Sequence, residues 1–306
     1  MAREAVAAFE GADDPGSLAA ALEQLATLHR LVTGDIEAML EASERALALA
    51  REAGAWNVLT GSALALSRAL LLGPTPCDRA LARLEELSAS FPQARMVRAA
   101  LALDTATVLG MLGEVDRAHR EIRGAREVFE DLGQGRWLAE ASIGEGVLAW
   151  WRGDRTAAER RIRQGLDLFR QRGEAADVAL AQVDLGRLLC EMERLDEAVD
   201  LADAVERGMP SFGLEPQVGW RLVRAGVLSR RGEHGGAERL LREAEDLVAT
   251  TGHLTLHAEV LLALAGALRA AGRREESAAE AARALEAFTR KRNATGADRA
   301  RALLGP

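Results

Sequence analysis

The chain repeats itself about every 40 residues, and this period limits the possible folds more than any other feature of the sequence. Seven related turn sequences carry the repeat, among them LGEVDRA at 112–118 and RGDRTAA at 152–158. Their last residues, which we use as the marker of each unit, are Met39, Ala80, Ala118, Ala158, Ala198, Ala237 and Ser277. The steps between successive markers are 41, 38, 40, 40, 39 and 40 residues. A period this regular indicates a repeat architecture, in which each unit packs mainly on its neighbours.

Each unit contains a first helix, A, before the turn and a second helix, B, after it. Apolar residues recur at helical spacing, as in Leu240, Leu241, Ala244 and Leu247. The predicted A helices are 17–32, 56–72, 95–112, 137–151, 175–191, 215–230 and 254–270. The predicted B helices are 36–53, 76–90, 116–132, 154–172, 195–208, 235–251 and 274–291. The spacing therefore predicts an all-α fold.

Glycines mark the expected ends of the B helices. They lie fifteen residues after the marker at Gly54, Gly133, Gly173, Gly213 and Gly252. A glycine there can take the left-handed conformation that ends a helix without the penalty that a side chain would bring. Asn293 stands near the same place in the last unit.

Small residues recur at two further offsets from the marker. Those twelve residues before it are Ala106, Gly146, Gly186, Ala225 and Ala265. Those seven residues after it are Ala46, Ala125, Gly165, Ala244 and Ala284. Small side chains allow two helices to approach closely, so this pattern predicts close A–B packing at the marker.

The composition excludes several classes of protein. The net charge of the 306 residues is -8 and the sequence pI is about 5.4, which argues against a nucleic-acid-binding surface. Cys77 and Cys190 are isolated thiols that fit a reducing compartment, so we expect a cytoplasmic protein. No apolar run approaches the length of a membrane span, and we expect no membrane contact.

The offsets of the small residues resemble those of the tetratricopeptide repeat, including Pro92 and Pro210 five residues beyond the second small position. A more specific resemblance over 15–304 is to the C-terminal repeats of bacterial adenylate/guanylate cyclase–ATPase fusions and LuxR-type regulators. It rests on ALALAREAG at 46–54, LGPTP at 72–76, LDEA at 195–198 and KRN at 291–293. The resemblance implies a right-handed superhelix of about seven helix pairs that acts as a sensing or protein-contact arm.

The repeat register divides the chain into three parts. Residues 1–16 fall where the second half of an earlier unit should be, so we expect an incomplete leading repeat. Residues 17–294 form the repeat domain, and residues 295–306 form a C-terminal capping helix and tail. The apolar side chains of the leading half-unit would lack neighbours, which favours fraying or a homodimer through this segment.

The sequence shows no recognisable catalytic or cofactor site. A phosphate-binding GxxxxGK[ST] loop is absent, because Lys291 is the only lysine, and no GxSxG turn occurs. His253 and His257 are four residues apart and could share a metal, but a helix-start packing role or a surface role explains them more simply. We therefore expect no enzyme activity, no cofactor and no metal.

The family resemblance implies that the A helices line a concave groove, with wall positions 18, 15, 11, 8 and 7 residues before the marker. The candidate groove residues are Trp150, Trp151, Arg187, Glu191, Arg230, Glu259 and Arg269. The three arginines would form a row beside an aromatic platform. Arginine binds carboxylates and phosphates through two parallel hydrogen bonds, so this row favours an acidic peptide or an anionic ligand.

A simpler interpretation stays open for the same residues. The tryptophans would be core residues, and Glu191 and Glu259 would neutralise arginines on neighbouring helices, leaving a salt-bridged wall.

Three functions are compatible with this sequence. The first is a non-catalytic module that binds a peptide, a ligand or another domain of a parent signalling ATPase or cyclase system in its groove. The second is an orphan regulatory fragment of a transcriptional regulator. The third is an unrecognised enzyme.

Overall fold

The computed structural model describes residues 6–7, 9–10, 14–208 and 213–305, and this part of the chain is a right-handed, all-α superhelix of seven helix pairs without a strand. The A helices are α1 (Pro15–Leu28), α3 (Trp56–Leu72), α5 (Arg95–Met111), α7 (Gly135–Trp151), α9 (Ala175–Glu191), α11 (Leu214–Arg230) and α13 (Leu254–Ala270). The B helices are α2 (Ile36–Glu52), α4 (Cys77–Ala89), α6 (Val115–Asp131), α8 (Arg155–Arg172), α10 (Leu195–Arg207), α12 (His234–Val248) and α14 (Arg274–Lys291). One further helix, α15 (Ala294–Leu304), follows the last pair.

The predicted helices are confirmed, and the largest difference lies in the first unit. Helix α1 ends at Leu28, and a short π-helical segment, His29–Thr33, follows where we predicted a continuous helix. The Thr33 hydroxyl donates to the His29 carbonyl at 3.0 Å and lies 3.2 Å from the His29 ring Nδ1. A hydroxyl that bonds the backbone competes with the regular helical hydrogen bonds, which accounts for the irregular turn.

Four of the five predicted glycine stops adopt the left-handed conformation, with φ between 63° and 72°; they are Gly54, Gly133, Gly173 and Gly252. The prediction for Gly213 is wrong, because this residue has φ -69° and is instead the N-cap residue that precedes α11. In the last unit Arg292 takes the left-handed conformation with φ 56°. Asn293 next to it caps α15, since its side chain accepts from Gly296 N at 2.8 Å.

The markers and the small residues around them lie at the contacts between A and B helices. Ala198 has no exposed surface, and the hydroxyl of Ser277 donates to the carbonyl of Ala265, twelve residues earlier, at 2.8 Å. A Cβ atom added to Gly146 would lie 2.6 Å from Ile162 Cγ1 and 3.1 Å from the Ala158 carbonyl oxygen. Only a glycine fits there, so the packing role of the small residues is confirmed.

The superhelix closes on itself after a single turn, which the sequence analysis did not anticipate. The side chain of Lys291 is completely buried at the end of α14. Its Nζ donates to the carbonyl oxygens of Leu70, Gly73 and Thr75 at 2.8, 2.7 and 2.8 Å. Those carbonyls lie at the end of α3, so the last B helix is fixed to the second unit.

Two further contacts join the ends of the array. The Thr295 hydroxyl in α15 donates to the Gly110 carbonyl in α5 at 2.8 Å. At the other end of the chain, the backbone N–H of Ile36 donates to the Thr251 carbonyl at 2.9 Å. The first three units therefore contact the last two, and the inner faces of the A helices enclose a space.

The described residues of the leading segment pack on the first unit. Val6 is buried in a cluster with Leu22 and Ala46. Residues 1–5, 8 and 11–13 lie outside the described residues. The division of the chain into an incomplete repeat, a repeat domain and a capping tail stays a prediction.

Ala198→Leu is expected to lower the free energy of unfolding by roughly 1–3 kcal/mol, because extra methylene groups at a fully packed contact force the helices apart. Ala48→Leu is the matched control, since Ala48 is exposed in the middle of α2. Chemical denaturation measures both variants. An Ala198→Leu variant as stable as Ala48→Leu would mean that the marker does not lie at a tight contact.

Lys291→Met is expected to lower the free energy of unfolding by about 1–3 kcal/mol, because three buried carbonyls lose their donor. Hydrogen exchange should become faster at the end of α3 and at the end of α14, which the lysine joins. Arg290→Met is the control, because Arg290 is exposed on the same helix. Unchanged exchange at both places in Lys291→Met would contradict the closure.

Candidate functional site

The inner faces of the A helices enclose three cavities. The largest, the Trp cavity, has a volume of about 610 Å³ and is lined by both Trp150 and Trp151. A second, the Arg230 cavity, has a volume of about 470 Å³. A third, the acidic cavity, measures about 250 Å³ and contains Asp104 and Glu140. A typical ligand pocket has about 300–1,000 Å³, so the larger two are of the size of ligand sites.

The three cavities adjoin one another, and we refer to them together as the inner channel. Trp150, Arg187 and Glu191 line both the Trp cavity and the Arg230 cavity. Val147 and Asp184 line both the Trp cavity and the acidic cavity. All five residues belong to α7 and α9, so these two A helices form the wall that runs along the whole channel.

Four of the seven candidate groove residues form one connected group. The guanidinium carbon of Arg187 lies 5.5 Å from the centre of the Trp150 ring, in cation–π contact. The indole Nε1 of Trp150 donates to Glu191 Oε2 at 2.9 Å. Arg187 also forms an ion pair with Glu259 of α13. Because Glu259 neutralises Arg187, these contacts agree with the interpretation of a salt-bridged wall.

Trp151 lines the Trp cavity and also packs closely on α5. A Cβ atom added to Gly110 would lie 2.5 Å from Trp151 Cζ3, so the glycine makes room for the indole. Trp151 is thus both a wall of the cavity and part of the contact between α5 and α7.

The remaining two arginines do not continue a free row. Arg230 lines the Arg230 cavity, where its Nε lies 3.2 Å from Glu193 Oε1. Arg269 lines none of the three cavities and donates to the carbonyls of Ala302 and Leu303 at 3.4 and 3.2 Å. The last carbonyls of a helix lack partners within the helix, which explains why an arginine is drawn to the end of α15.

Two ion pairs cross the interior between A helices that are two units apart. Arg68 of α3 lies 2.6 Å from Glu140 of α7, and Arg187 of α9 pairs with Glu259 of α13. The residues of each pair are 72 positions apart. Both glutamates stand 18 residues before a marker, so this repeated position is a signal that sequence analysis could have used to find the pairs.

Carboxylates outnumber arginines on the walls of the Trp and acidic cavities. The seven carboxylates are Asp104, Glu140, Asp177, Asp184, Glu191, Glu259 and Asp298. The three arginines are Arg68, Arg187 and Arg299. Each of the carboxylates except Asp184 forms an ion pair with an arginine among the described residues.

Two carboxylates of the Trp cavity have opposite pKa shifts. Burial alone would raise the pKa of Glu259, but Arg299 and Arg187 outweigh it and lower the pKa to about 2. Burial raises the pKa of Asp184 to about 6, because Arg187 favours its charged form too weakly and Glu215 and Glu259 oppose that form. Glu259 has two arginine partners, and Asp184 has no ion-pair partner among the described residues.

His253 has a structural role at the start of α13. His253 Nδ1 accepts from the backbone N–H of Leu256 at 3.3 Å and so caps the helix, while its Nε2 lies 3.5 Å from Glu215 Oε1. Among the described residues, no group of three His, Cys, Asp or Glu side chains could hold a metal ion. No helix in the described ranges is long and apolar enough to span a membrane.

Asp184→Asn is expected to raise the free energy of unfolding at neutral pH by about 1–3 kcal/mol, because it removes a half-buried charge that has no ion-pair partner among the described residues. The folded-state pKa of Asp184 is raised above the ordinary value of 3.8, so the native state favours the protonated acid. The charge of Asp184 does not lower the free energy of unfolding below about pH 4, where the acid is protonated in both states. Its full destabilising effect is present above the folded-state pKa. The advantage of the variant should therefore shrink as the pH falls.

Chemical denaturation of Asp184→Asn at neutral and acidic pH measures this effect. Asp200→Asn is the matched control, since Asp200 is exposed on α10. A variant that is less stable than the parent chain at neutral pH would show that the carboxylate of Asp184 has a stabilising partner.

Comparison with known proteins identifies structures with a similar fold but no related sequence. No protein-family model matches the sequence, and no curated protein matches it either. A Rap protein complexed with competence and sporulation factor has a similar structure, with a TM-score of 0.70 and 13% identity over 90% of this chain and 76% of that one. NprR in complex with its cognate peptide NprX gives a TM-score of 0.59 and 12% identity over 89% and 81%.

A third similar structure is the signal transduction ATPase PH0952 from Pyrococcus horikoshii, which has a tetratricopeptide repeat sensor. Its TM-score is 0.56 and its identity 11%, over 84% of this chain and 41% of that one. Identities this low establish similarity of fold alone. The described part of the chain has the fold of a tetratricopeptide-like helical repeat protein.

Proposed function

We propose that this chain is a non-catalytic sensing module that binds a peptide, or an extended segment of a partner protein, in the inner channel. The observation that carries the proposal is the Trp cavity, a space of about 610 Å³ with two indole side chains in its wall. Tryptophan supplies a large contact area at little cost in side-chain entropy, and its N–H supplies a hydrogen bond. Such anchors are typical of binding sites.

The solved structures with the same fold support a peptide as the ligand. NprR has been observed with its cognate peptide, and the Rap protein with competence and sporulation factor. Both similarities cover most of this chain, so a peptide ligand is compatible with its fold. The low identity means that no residue role is transferred from them.

The third similar structure supports a regulatory setting. A tetratricopeptide sensor belongs to a signal transduction ATPase in PH0952. We propose that this chain likewise acts in the cytoplasm as the regulatory arm of a signalling ATPase or cyclase system. The sequence resemblance to cyclase–ATPase fusions and LuxR-type regulators favours the same role, and the alternative is an orphan regulatory fragment of a transcriptional regulator.

The proposed binding residues are the candidate groove residues in the channel walls, with Trp150 at the centre. Trp150 contacts Arg187 and Glu191 and lines two of the three cavities. A ligand that crosses from the Trp cavity to the Arg230 cavity would therefore pass over its indole. A homodimer through the leading half-repeat stays a separate proposal, which sedimentation at several protein concentrations would test.

Trp150→Ala is expected to weaken peptide binding by about 1–2 kcal/mol, because it removes the central contact surface of the channel. The measurement is equilibrium dialysis against pools of short, capped peptides of random sequence, with the retained peptides identified by mass spectrometry. Trp56→Ala is the matched control, because Trp56 is 53% exposed at the start of α3 and lines none of the three cavities.

Circular dichroism and thermal denaturation of both variants establish that the fold is intact. Retention of a defined set of peptides by the parent chain and by Trp56→Ala, but not by Trp150→Ala, supports the proposed function. Equal retention by all three proteins would place binding outside the channel, and no retention by the parent chain would contradict a peptide-binding role.

A further inference from the structure

Asp184 occupies a special position in the inner channel. It lies on α9 where the Trp cavity and the acidic cavity meet, and it is the one residue besides Val147 that lines both. Of the carboxylates that line these cavities, it alone forms no ion pair with an arginine of the described residues. A ligand that extends through the channel must pass this carboxylate.

The neighbouring carboxylate, Glu259, has two arginine partners, whereas Asp184 has none among the described residues. Glu259 accepts hydrogen bonds from both Arg187 and Arg299, and Arg299 Nη1 lies 2.6 Å from Glu259 Oε1. Asp184 stands three residues before Arg187 on the same helix, but that guanidinium is held by Glu259 and by the face of Trp150. The raised pKa of Asp184 agrees with a carboxylate that lacks a cation.

A second polar group of the Trp cavity also lacks a partner. Thr255, on the wall formed by α13, has a buried hydroxyl oxygen without a hydrogen-bond partner in the described structure. Together with Trp151 and Val147, which supply apolar surface, the cavity offers a carboxylate, a hydroxyl and a flat aromatic wall. This combination matches a side chain with several N–H donors on an apolar stem.

We propose that Asp184 receives the cationic side chain of an arginine-bearing peptide. The inference rests on the proposed function, since it names the ligand class of the same channel. Arginine fits better than lysine, because its planar guanidinium can bond a carboxylate and lie against an indole at the same time, as Arg187 already does against Trp150 and Glu259. A metal ion fits poorly, since no metal-binding cluster occurs among the described residues.

The balance of charge in the channel supports a basic ligand over an acidic one. The seven carboxylates of the Trp and acidic cavities face three arginines, and each of these arginines is already engaged by a carboxylate of the chain. An anionic group would have to displace an internal ion pair to reach a guanidinium. A cationic group would instead gain a charge-assisted hydrogen bond that the empty channel does not make.

The test uses three pools of short, capped peptides that are random except for a central Arg, Gln or Glu. Equilibrium dialysis measures how much of each pool is retained by the parent chain, by Asp184→Asn and by Asp200→Asn. Asn keeps the shape of the side chain and removes its charge, and the exposed Asp200 controls for the loss of one negative charge from the surface.

The parent chain and Asp200→Asn are expected to retain the Arg pool about tenfold better than the Gln pool, and the Glu pool least. Asp184→Asn should lose this preference while it retains the Gln pool as the parent chain does. This pattern would establish the inference, and the unchanged retention of the Gln pool would show that the variant is folded.

The other outcomes separate this inference from the proposed function. Equal retention of the three pools by the parent chain, or a preference for Arg that survives in Asp184→Asn, would overturn the role of Asp184 and leave peptide binding intact. A preference for the Glu pool would mean that the arginines of the channel select the ligand. Retention of no pool would overturn the proposed function and this inference together.

Discussion

The structure depends on the close approach of the A and B helices at small residues. Ala198 has no exposed surface, and Gly146 has no room for even a Cβ atom against Ile162 and the Ala158 carbonyl. Because the same contact recurs in nearly every unit, the same small rotation is repeated from unit to unit. The curvature of the whole superhelix therefore follows from a local packing requirement.

That curvature brings the two ends of the array together. Lys291 binds three carbonyls at the end of α3, and one backbone hydrogen bond joins Ile36 of the first unit to Thr251 at the end of the sixth, so the A helices curve around an inner channel. Ion pairs such as Arg68–Glu140 span this interior between alternate units. An enclosed, partly apolar channel strengthens electrostatic interactions inside it, which makes a single unpaired carboxylate important for what can bind.

Features that depend on contacts between neighbouring units could be predicted from the sequence. The contacts that join the two ends of the array could not. The helices and the small-residue contacts follow from the period of about 40 residues, and the family resemblance implied the position of Trp150 in the wall. The Lys291 contact joins residues 221 positions apart, and no periodic pattern reports such a pair. The sequence left open whether glutamates neutralise the arginines, and Arg187 is paired with Glu259, which lies two units later and not on a neighbouring helix. Asp184 could have been found, since it lies one helical turn before Arg187.

The location of the ligand is the central claim of this account, and paramagnetic NMR tests it most directly. The chain contains five tryptophans, so its indole N–H signals are few enough to assign by substitution. A nitroxide-labelled pool of short peptides with a central Arg should broaden the signals of Trp150 and Trp151 and leave that of the exposed Trp56 sharp. Broadening of the Trp56 signal, with Trp150 and Trp151 unaffected, would contradict binding in the channel.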